Sequence, residues 1–206
     1  MEKGKYCRHC RSVWVYDWEY CPECDRNYGG AVYPALQTEE ERMELLVIAA
    51  EIEQAFERVQ LEDGKTIHEA NLEGCYLNEQ ERMDARAKDT EHNWQEVAPE
   101  KIESFQSVLT FFDSKGWRFY MPAFMIWALK NWRTTKSVTA DSVVWDLANV
   151  EPHFMDRYKL LTAEQARSVY RFLDFMDRHN PEDDAKKGID AYWYKFAPES
   201  GDLQEQ

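Results

Sequence analysis

Four cysteines near the amino terminus form the strongest chemical pattern in the sequence. Cys7 and Cys10 make one Cys-x2-Cys pair, and Cys21 and Cys24 make a second pair after residues 11–20. Each such turn can direct two thiolates inward, so that four thiolates bind one Zn²⁺ tetrahedrally. A four-thiolate site has no open position for a substrate or water, so the metal would be structural and would stabilise a segment too small to fold alone. The spacing therefore predicts one structural zinc per chain, in a zinc ribbon over residues 1–30.

Three other interpretations of the cysteines stay open: two disulfides, iron in the same ligand set, or an accidental cluster. Residues 1–6 lack the apolar stretch of a secretory signal, which disfavours disulfides and leads us to expect a cytoplasmic protein. His9 lies inside the first cysteine pair, but four cysteines already satisfy the metal. We interpret His9 as an exposed histidine.

Aromatic side chains between the two cysteine pairs suggest what the ribbon binds. Residues 12–20 alternate in part between apolar and polar types, which fits a short hairpin with Asp17 near its turn. Exposed rings on such a hairpin are suited to docking a protein. The aromatic residues concerned are Trp14, Tyr16, Trp18 and Tyr20.

Nucleic-acid binding by the ribbon is the less favoured alternative. Four cations cluster locally, but the basic and acidic side chains of residues 1–28 balance, so the segment has no net positive charge. Affinity for nucleic acid comes mainly from Lys and Arg that neutralise phosphates. This alternative would require Lys3, Lys5, Arg8 and Arg11 to share one face.

A second set of residues could carry chemistry in the body of the chain. His68 and Glu69 are adjacent in a stretch without clear periodicity, and Arg118 and Tyr120 stand at the entry to the most apolar segment. If His92 joined them, His68, Glu69 and His92 could hold a catalytic metal, and the protein would be a metal-dependent enzyme. The simpler interpretation is that the histidines lie on the surface and that Arg118 and Tyr120 make structural hydrogen bonds.

Other catalytic signatures are missing from the sequence. It contains no His-x-x-x-His helix, no nucleophile elbow and no glycine-rich phosphate loop. The formal net charge of −14 argues against a broad phosphate-binding surface and suits a basic protein partner. Our leading hypothesis is therefore a zinc-binding protein without enzymatic activity that acts by protein–protein interaction, as an inhibitor, immunity-type or adaptor subunit.

The elements that would position these residues are mainly α-helical. After a linker at residues 31–37, we predict an acidic domain of about five to seven helices over residues 38–196, and then an acidic flexible tail at 197–206. Capping boxes mark three helix starts. They are Thr38 with Glu41, Asn78 with Glu81, and Thr162 with Gln165.

The segment 116–132 is the predicted centre of the core, because residues 121–129 carry no charge. We expect Phe119 to Met121 to be extended, Pro122 to start a helix, and Gly116 to act as the left-handed cap of the preceding helix. The helix is too short to cross a membrane. We also expect residues 66–73 to form a loop or short strand and Cys75 to be buried.

Three stretches of this domain resemble a known family. They are residues 52–56 (Ile-Glu-Gln-Ala-Phe), residues 68–70 (His-Glu-Ala), and residues 112–125, which contain Gly-x-Arg-Phe-Tyr-Met-Pro-Ala-Phe-Met. They resemble an uncharacterised bacterial domain family marked by a Gly-x-Arg-Phe-Tyr-Leu-Pro-Ala-x-Met run, over about residues 40–178. The motif Leu-Thr-x-x-Gln at residues 161–165 is also similar to that family. The resemblance implies an all-helical domain and no established activity.

Overall fold

The computed structural model describes the backbone of three short strands and most of the helical body. The described residues are 3–6, 13–14, 32–34, 38–73, 75, 78–180 and 184–198. The strands are β1 (Lys3–Tyr6), β2 (Val13–Trp14) and β3 (Val32–Pro34), which form an antiparallel sheet in the order β2-β1-β3. Most of the hairpin predicted at residues 12–20 lies outside the described residues, and β2 pairs with β1, where Lys5 is opposite Trp14.

The body of the chain is mainly α-helical, as predicted, although the described residues form nine α-helices rather than five to seven. The four longer helices are α1 (Glu39–Phe56), α5 (Ser114–Asn131), α6 (Thr139–Ala148) and α8 (Ala163–His179). The shorter ones are α2 (Ile67–Asn71), α3 (Glu79–Arg86), α4 (Pro99–Ser104), α7 (Pro152–Tyr158) and α9 (Ala185–Ala191). Single 3₁₀ turns occur at Trp94–Glu96, Val108–Phe111 and Trp193–Phe196.

Helix α5 lies at the centre of the core, as its apolar sequence predicted. Every residue from 119 to 129 is buried, and α5 contacts α1, α6 and α7. A helix that is apolar all round must be covered in this way, because no face of it can favourably meet water. No helix in the described part of the chain is long and apolar enough to cross a membrane.

The predicted start of α5 is wrong. The helix begins at Ser114, where the Asp113 side chain accepts the Gly116 N–H at 2.8 Å, so residues 119–121 are helical and Pro122 lies inside the helix. Gly116 is not a left-handed cap either. A Cβ added at Gly116 would lie 2.4 Å from the Lys65 carbonyl oxygen, so this position requires glycine for the close approach of another segment.

Two of the three predicted capping boxes are confirmed, at Asn78 and Thr162. At α1 the Thr38 hydroxyl accepts the Glu41 N–H at 3.0 Å, but the Glu41 carboxylate does not return to the cap. It instead binds Arg133 through two hydrogen bonds of 2.8 and 2.9 Å. The predicted hydrogen bond from the Thr38 backbone N–H to the Glu41 carboxylate is therefore wrong, because the ion pair with Arg133 uses that carboxylate.

The region predicted as a loop or strand at residues 66–73 contains α2. Thr66 and Glu69 form a capping box at its start, with the Thr66 N–H donating to the Glu69 carboxylate at 2.9 Å. Cys75 is exposed rather than buried. The helix is a single short turn, so its sequence offers too few residues for a 3.6-residue period to be visible.

Candidate functional site

The predicted zinc ligands Cys7, Cys10, Cys21 and Cys24 lie outside the described residues, as do Tyr16, Trp18 and Tyr20. Trp14 belongs to β2. Strands β1 and β2 flank residues 7–12, which contain the first cysteine pair, and Tyr6 is paired with Val13. Among the residues that the structure does describe, no three His, Cys, Asp or Glu side chains are grouped so as to hold a metal ion.

His68 is bound by a buried carboxylate that the sequence analysis did not single out. Asp89, whose side chain is almost fully buried, accepts the His68 backbone N–H at 2.8 Å and lies 2.7 Å from its ring Nδ1. The His68 ring also packs edge-on against Phe105, with 4.8 Å between the ring centroids. This arrangement fixes the imidazole in one orientation and leaves Nε2 as the nitrogen not used by Asp89.

A lysine completes this cluster. The Lys101 ammonium from α4 lies 2.6 Å from Asp89 and 2.5 Å from Glu91. Burial opposes ionisation of Asp89, but the hydrogen bonds from Lys101, the His68 N–H and the Thr66 hydroxyl outweigh it and lower the Asp89 pKa. Burial likewise opposes the charge on Lys101, and the two carboxylates outweigh it and raise the Lys101 pKa. These charges stabilise one another and join α2, α4 and the segment after α3.

Tyr120 faces the same cluster from α5. Its side chain is fully buried and stacks on Phe112, with 5.0 Å between the ring centroids. Burial, together with the negative charges of Asp89 and Glu91, raises the Tyr120 pKa. Tyr120 therefore keeps its proton near neutral pH and is a poor general acid.

The Glu69 and Arg118 side chains form ion pairs with residues outside this cluster. The Glu69 carboxylate, besides capping α2, accepts from Arg86 of α3 at 2.8 Å. Arg118 donates to the Glu62 carboxylate at 2.8 Å, in the turn after α1 where Glu62 has a φ of 56°. Arg118 and Tyr120 are two residues apart on one helix, so their side chains leave it in different directions.

The other histidine considered for chemistry lies on the surface. His92 is exposed, and its backbone N–H donates to the Glu96 carboxylate at 2.8 Å. The structure therefore brings His68 and Tyr120 to one buried charge cluster, whereas Glu69 and Arg118 are engaged in separate ion pairs. The ion pairs of this arrangement connect helices to one another and to the segments between them.

A second feature, missed in the sequence analysis, lies on the outer face of α1. Its buried face consists of residues such as Leu45, Ile48 and Ile52, and on the opposite face further apolar residues are exposed. Met43, Leu46 and Val47 are 50%, 43% and 47% exposed, and Ala50 is exposed as well. We call these four residues, Met43, Leu46, Val47 and Ala50, the α1 stripe.

The α1 stripe has the spacing i, i+3, i+4, i+7, which places its members along one line on a helix. The same spacing in the sequence is the signal that would have found it. The flanking residues are mostly acidic: Glu39 is paired with Arg42 at 2.6 Å, and Glu40 and Glu53 are exposed. An apolar line between carboxylates is a surface on which another helix can pack.

Comparison with known proteins identifies a family and no activity. The model of a family of unknown function, DUF6714, matches residues 44–197, so the chain belongs to that family. This agrees with the uncharacterised family expected over about residues 40–178. The match leaves the cysteine-rich segment outside its bounds, and it covers the α1 stripe from Leu46 onward. No curated protein and no solved structure matches the chain.

Proposed function

We propose that this member of the DUF6714 family is a zinc-binding protein without enzymatic activity that acts by binding another protein, as an inhibitor, immunity-type or adaptor subunit. The observation that carries the proposal is the α1 stripe, because of which residues 43–50 of α1 carry apolar side chains on the exposed face as well as on the buried face. A helix with apolar residues on its outer face gains free energy when that face is covered.

The charge around the stripe indicates the chemistry of the partner. Helix α1 carries more glutamates than arginines, and the whole chain has a formal net charge of −14. A complementary partner would present an amphipathic helix whose apolar line is flanked by Lys and Arg. Such a charge distribution would also accelerate association and disfavour acidic competitors.

Zinc binding by Cys7, Cys10, Cys21 and Cys24 is the second part of the proposal. It is supported by the two Cys-x2-Cys pairs and by the antiparallel pairing of β1 with β2 on either side of the first pair. Four thiolates would close the coordination of the metal, so its role would be to stabilise the ribbon. Thiolate ligation is also consistent with a cytoplasmic location.

The test is co-purification of the tagged full-length protein from its own host, followed by native mass spectrometry. We expect the wild type to carry a second polypeptide, and Leu46→Glu to lose that polypeptide because a charge is placed in the apolar line. The matched control is Met83→Glu, since Met83 is 60% exposed on α3, away from α1. Retention of the polypeptide by Leu46→Glu, or a wild type that never carries one, would overturn the proposal.

The same spectra distinguish the two rival functions. A bound nucleic acid would favour a ribbon that binds nucleic acid through Lys3, Lys5, Arg8 and Arg11. A second metal per chain would favour the enzyme built on His68, Glu69 and His92.

A further inference from the structure

The exposed face of α1 carries charges of both signs on both sides of the α1 stripe. On one side, Arg42 and Glu53 are about three helical turns apart, so they lie on the same line along the helix. On the other side, Glu40 and Arg58 are about five turns apart and share a line in the same way. Arg58 continues the line of α1, because the cap residue Glu57 keeps the right-handed helical conformation. The order of acidic and basic residues along the helix is therefore opposite on the two sides of the stripe.

This charge pattern is complementary to itself when two copies of α1 lie antiparallel. A two-fold axis that passes near Val47 places Arg42 opposite Glu53 of the second copy. The same axis places Glu40 opposite Arg58 of the second copy. Each contact occurs twice, because a two-fold interface uses the same surface of both copies. A parallel arrangement would instead place every charge opposite its own equivalent, so like charges would meet.

The α1 stripe would form the apolar centre of such an interface. Leu46 and Val47, which are 43% and 47% exposed, lie next to the axis. Ala50 is small enough to let the helices approach to about 8–10 Å between their axes, the usual separation of packed helices. Met43, which is 50% exposed, would lie near Ala50 of the second copy. Burial of the stripe provides the favourable free energy, and the flanking charges determine the orientation.

The surface beside the stripe has the balanced charge that an interface between identical copies requires. A groove of about 760 Å³ lies between α1 and α8 and includes Val47 and Arg58. Three glutamates and three arginines line it, so it favours neither an acidic nor a basic ligand. A second copy presents both signs of charge on the same surface, and it therefore meets this groove without an excess of either.

We propose that two copies of the chain form a two-fold dimer in which their α1 helices pack antiparallel through the α1 stripe. The inference goes beyond the proposed function, because it states what covers the stripe when no other protein is bound. The second copy and the basic partner of the proposed function would use the same surface. Dimer formation would therefore regulate access to that surface.

Two like charges and the total charge oppose the dimer. Glu39 at the start of α1 and Glu57 at its cap approach one another at the ends of the antiparallel pair. Each has an arginine of its own chain beside it, Arg42 at 2.6 Å and Arg58 at 4.0 Å. Each chain also carries a formal net charge of −14, although physiological salt largely screens charges more than about 8 Å apart. The dimer should therefore exchange readily and release the stripe to a partner with basic flanks.

A charge exchange between two variants tests the proposal on the purified full-length chain. The acidic variant carries Arg42→Glu and Arg58→Glu, and the basic variant carries Glu40→Arg and Glu53→Arg. In sedimentation equilibrium we expect the wild type to dimerise and each variant alone to show a dimer Kd raised by about tenfold or more, since four like-charge contacts replace four opposite ones. A mixture of the two variants restores opposite charges at all four contacts. Native mass spectrometry of the mixture should therefore show mainly the heterodimer.

Two further variants separate the interface from general effects of charge and folding. The double variant Arg82→Glu, Lys88→Glu changes the net charge as much as the acidic variant does, but at exposed positions outside this surface, and it should dimerise like the wild type. Leu46→Glu places a charge beside the axis and should leave a monomer. Circular dichroism of every variant confirms that its helices are retained. The recovery in the mixture cannot come from unfolded chains.

The outcomes that overturn the proposal are equally specific. A wild type that stays monomeric throughout the micromolar range would overturn it. A dimer that is indifferent to the charge reversals, or a mixture without a preference for the heterodimer, would overturn the antiparallel α1 interface. These measurements use the purified chain alone, so they are independent of the co-purification experiment. A monomeric chain that still carries a second polypeptide would leave the proposed function intact, and a dimer that never carries one would leave only the dimer.

Discussion

The Asp89 carboxylate accepts the backbone N–H of His68 at 2.8 Å and lies 2.7 Å from the ring Nδ1 of the same residue. One carboxylate thereby fixes both the first turn of α2 and the direction of its histidine. Lys101 approaches the same carboxylate from α4. Both carboxylate oxygens of Asp89 are bonded to His68 or Lys101. The cluster therefore joins segments that are far apart in the sequence.

Asp89→Ala should therefore destabilise the fold. The substitution leaves the His68 N–H and the Lys101 ammonium without their buried partner, and we expect a loss of about 2–4 kcal/mol in the free energy of unfolding. Urea denaturation followed by circular dichroism measures this loss. The control is Asp84→Ala on α3, an exposed aspartate bonded to Gln80 at 2.8 Å, which should change stability by about 0.5 kcal/mol or less. Equal losses for the two variants would show that Asp89 has no special role.

Gly116→Ala tests the close approach of the Lys65 carbonyl to α5. The added Cβ would lie 2.4 Å from that oxygen, a backbone atom that moves only if the segment before α2 moves. Overpacking of this kind costs about 1–3 kcal/mol, although alanine would otherwise favour the helix by about 1 kcal/mol. We expect a net decrease in the thermal midpoint. A variant as stable as the wild type would mean that residues 64–66 shift freely.

The sequence predicted that α1, α5 and α8 exist, but it missed α2 and placed the start of α5 at Pro122 instead of Ser114. Helices α1, α5 and α8 carry long apolar patterns or capping boxes, and these local signals suffice to locate them. Pro122 misled the prediction of α5, because a proline at the first helical turn is more common than one in a buried helix interior. The helix tolerates it because Trp117, Phe124 and the other buried side chains of α5 fix its position by packing.

The partners of the candidate site residues could not be read from local spacing. His68 and Asp89 are 21 residues apart, and Glu41 and Arg133 are 92 residues apart, so no motif connects them. Only the tertiary fold decides which carboxylate meets which cation. The α1 stripe differs in this respect, since its i, i+3, i+4, i+7 spacing is visible in the sequence once both faces of α1 are considered.

We expect Asp146 to make the free energy of unfolding depend on pH. This fully buried carboxylate accepts the Trp117 indole N–H at 2.6 Å and lies 3.2 Å from the Arg157 guanidinium. Burial raises its pKa from 3.8 to about 6, even though Arg157 and Trp117 oppose the shift. Because the folded state binds this proton more tightly than the unfolded state, the contribution of Asp146 to stability is greatest below pH 3.8 and is lost as the pH rises to about 6.

Asp146→Asn should remove that dependence. The stability of the wild type is expected to contain a component that falls by up to about 3 kcal/mol between pH 4 and pH 6, since one pKa unit corresponds to about 1.4 kcal/mol. The variant keeps a side chain of similar shape but does not titrate, so the difference between the two stability curves should change with pH in this window. Urea denaturation at closely spaced pH values measures it. A constant difference from pH 4 to pH 6 would contradict the raised pKa.

The zinc prediction can be tested separately from partner binding. We expect one zinc per chain by native mass spectrometry and elemental analysis, and we expect Cys7→Ser to lower zinc affinity because one of four thiolates is removed. The control is Cys75→Ser, which changes an exposed cysteine outside the two Cys-x2-Cys pairs and should retain the metal. In both variants the helical signal should persist, since the buried hydrophobic residues of the described part of the chain lie within 45–193. Loss of zinc in Cys75→Ser, or a wild type without zinc whose cysteines form disulfides, would show that the four cysteines do not form the predicted site.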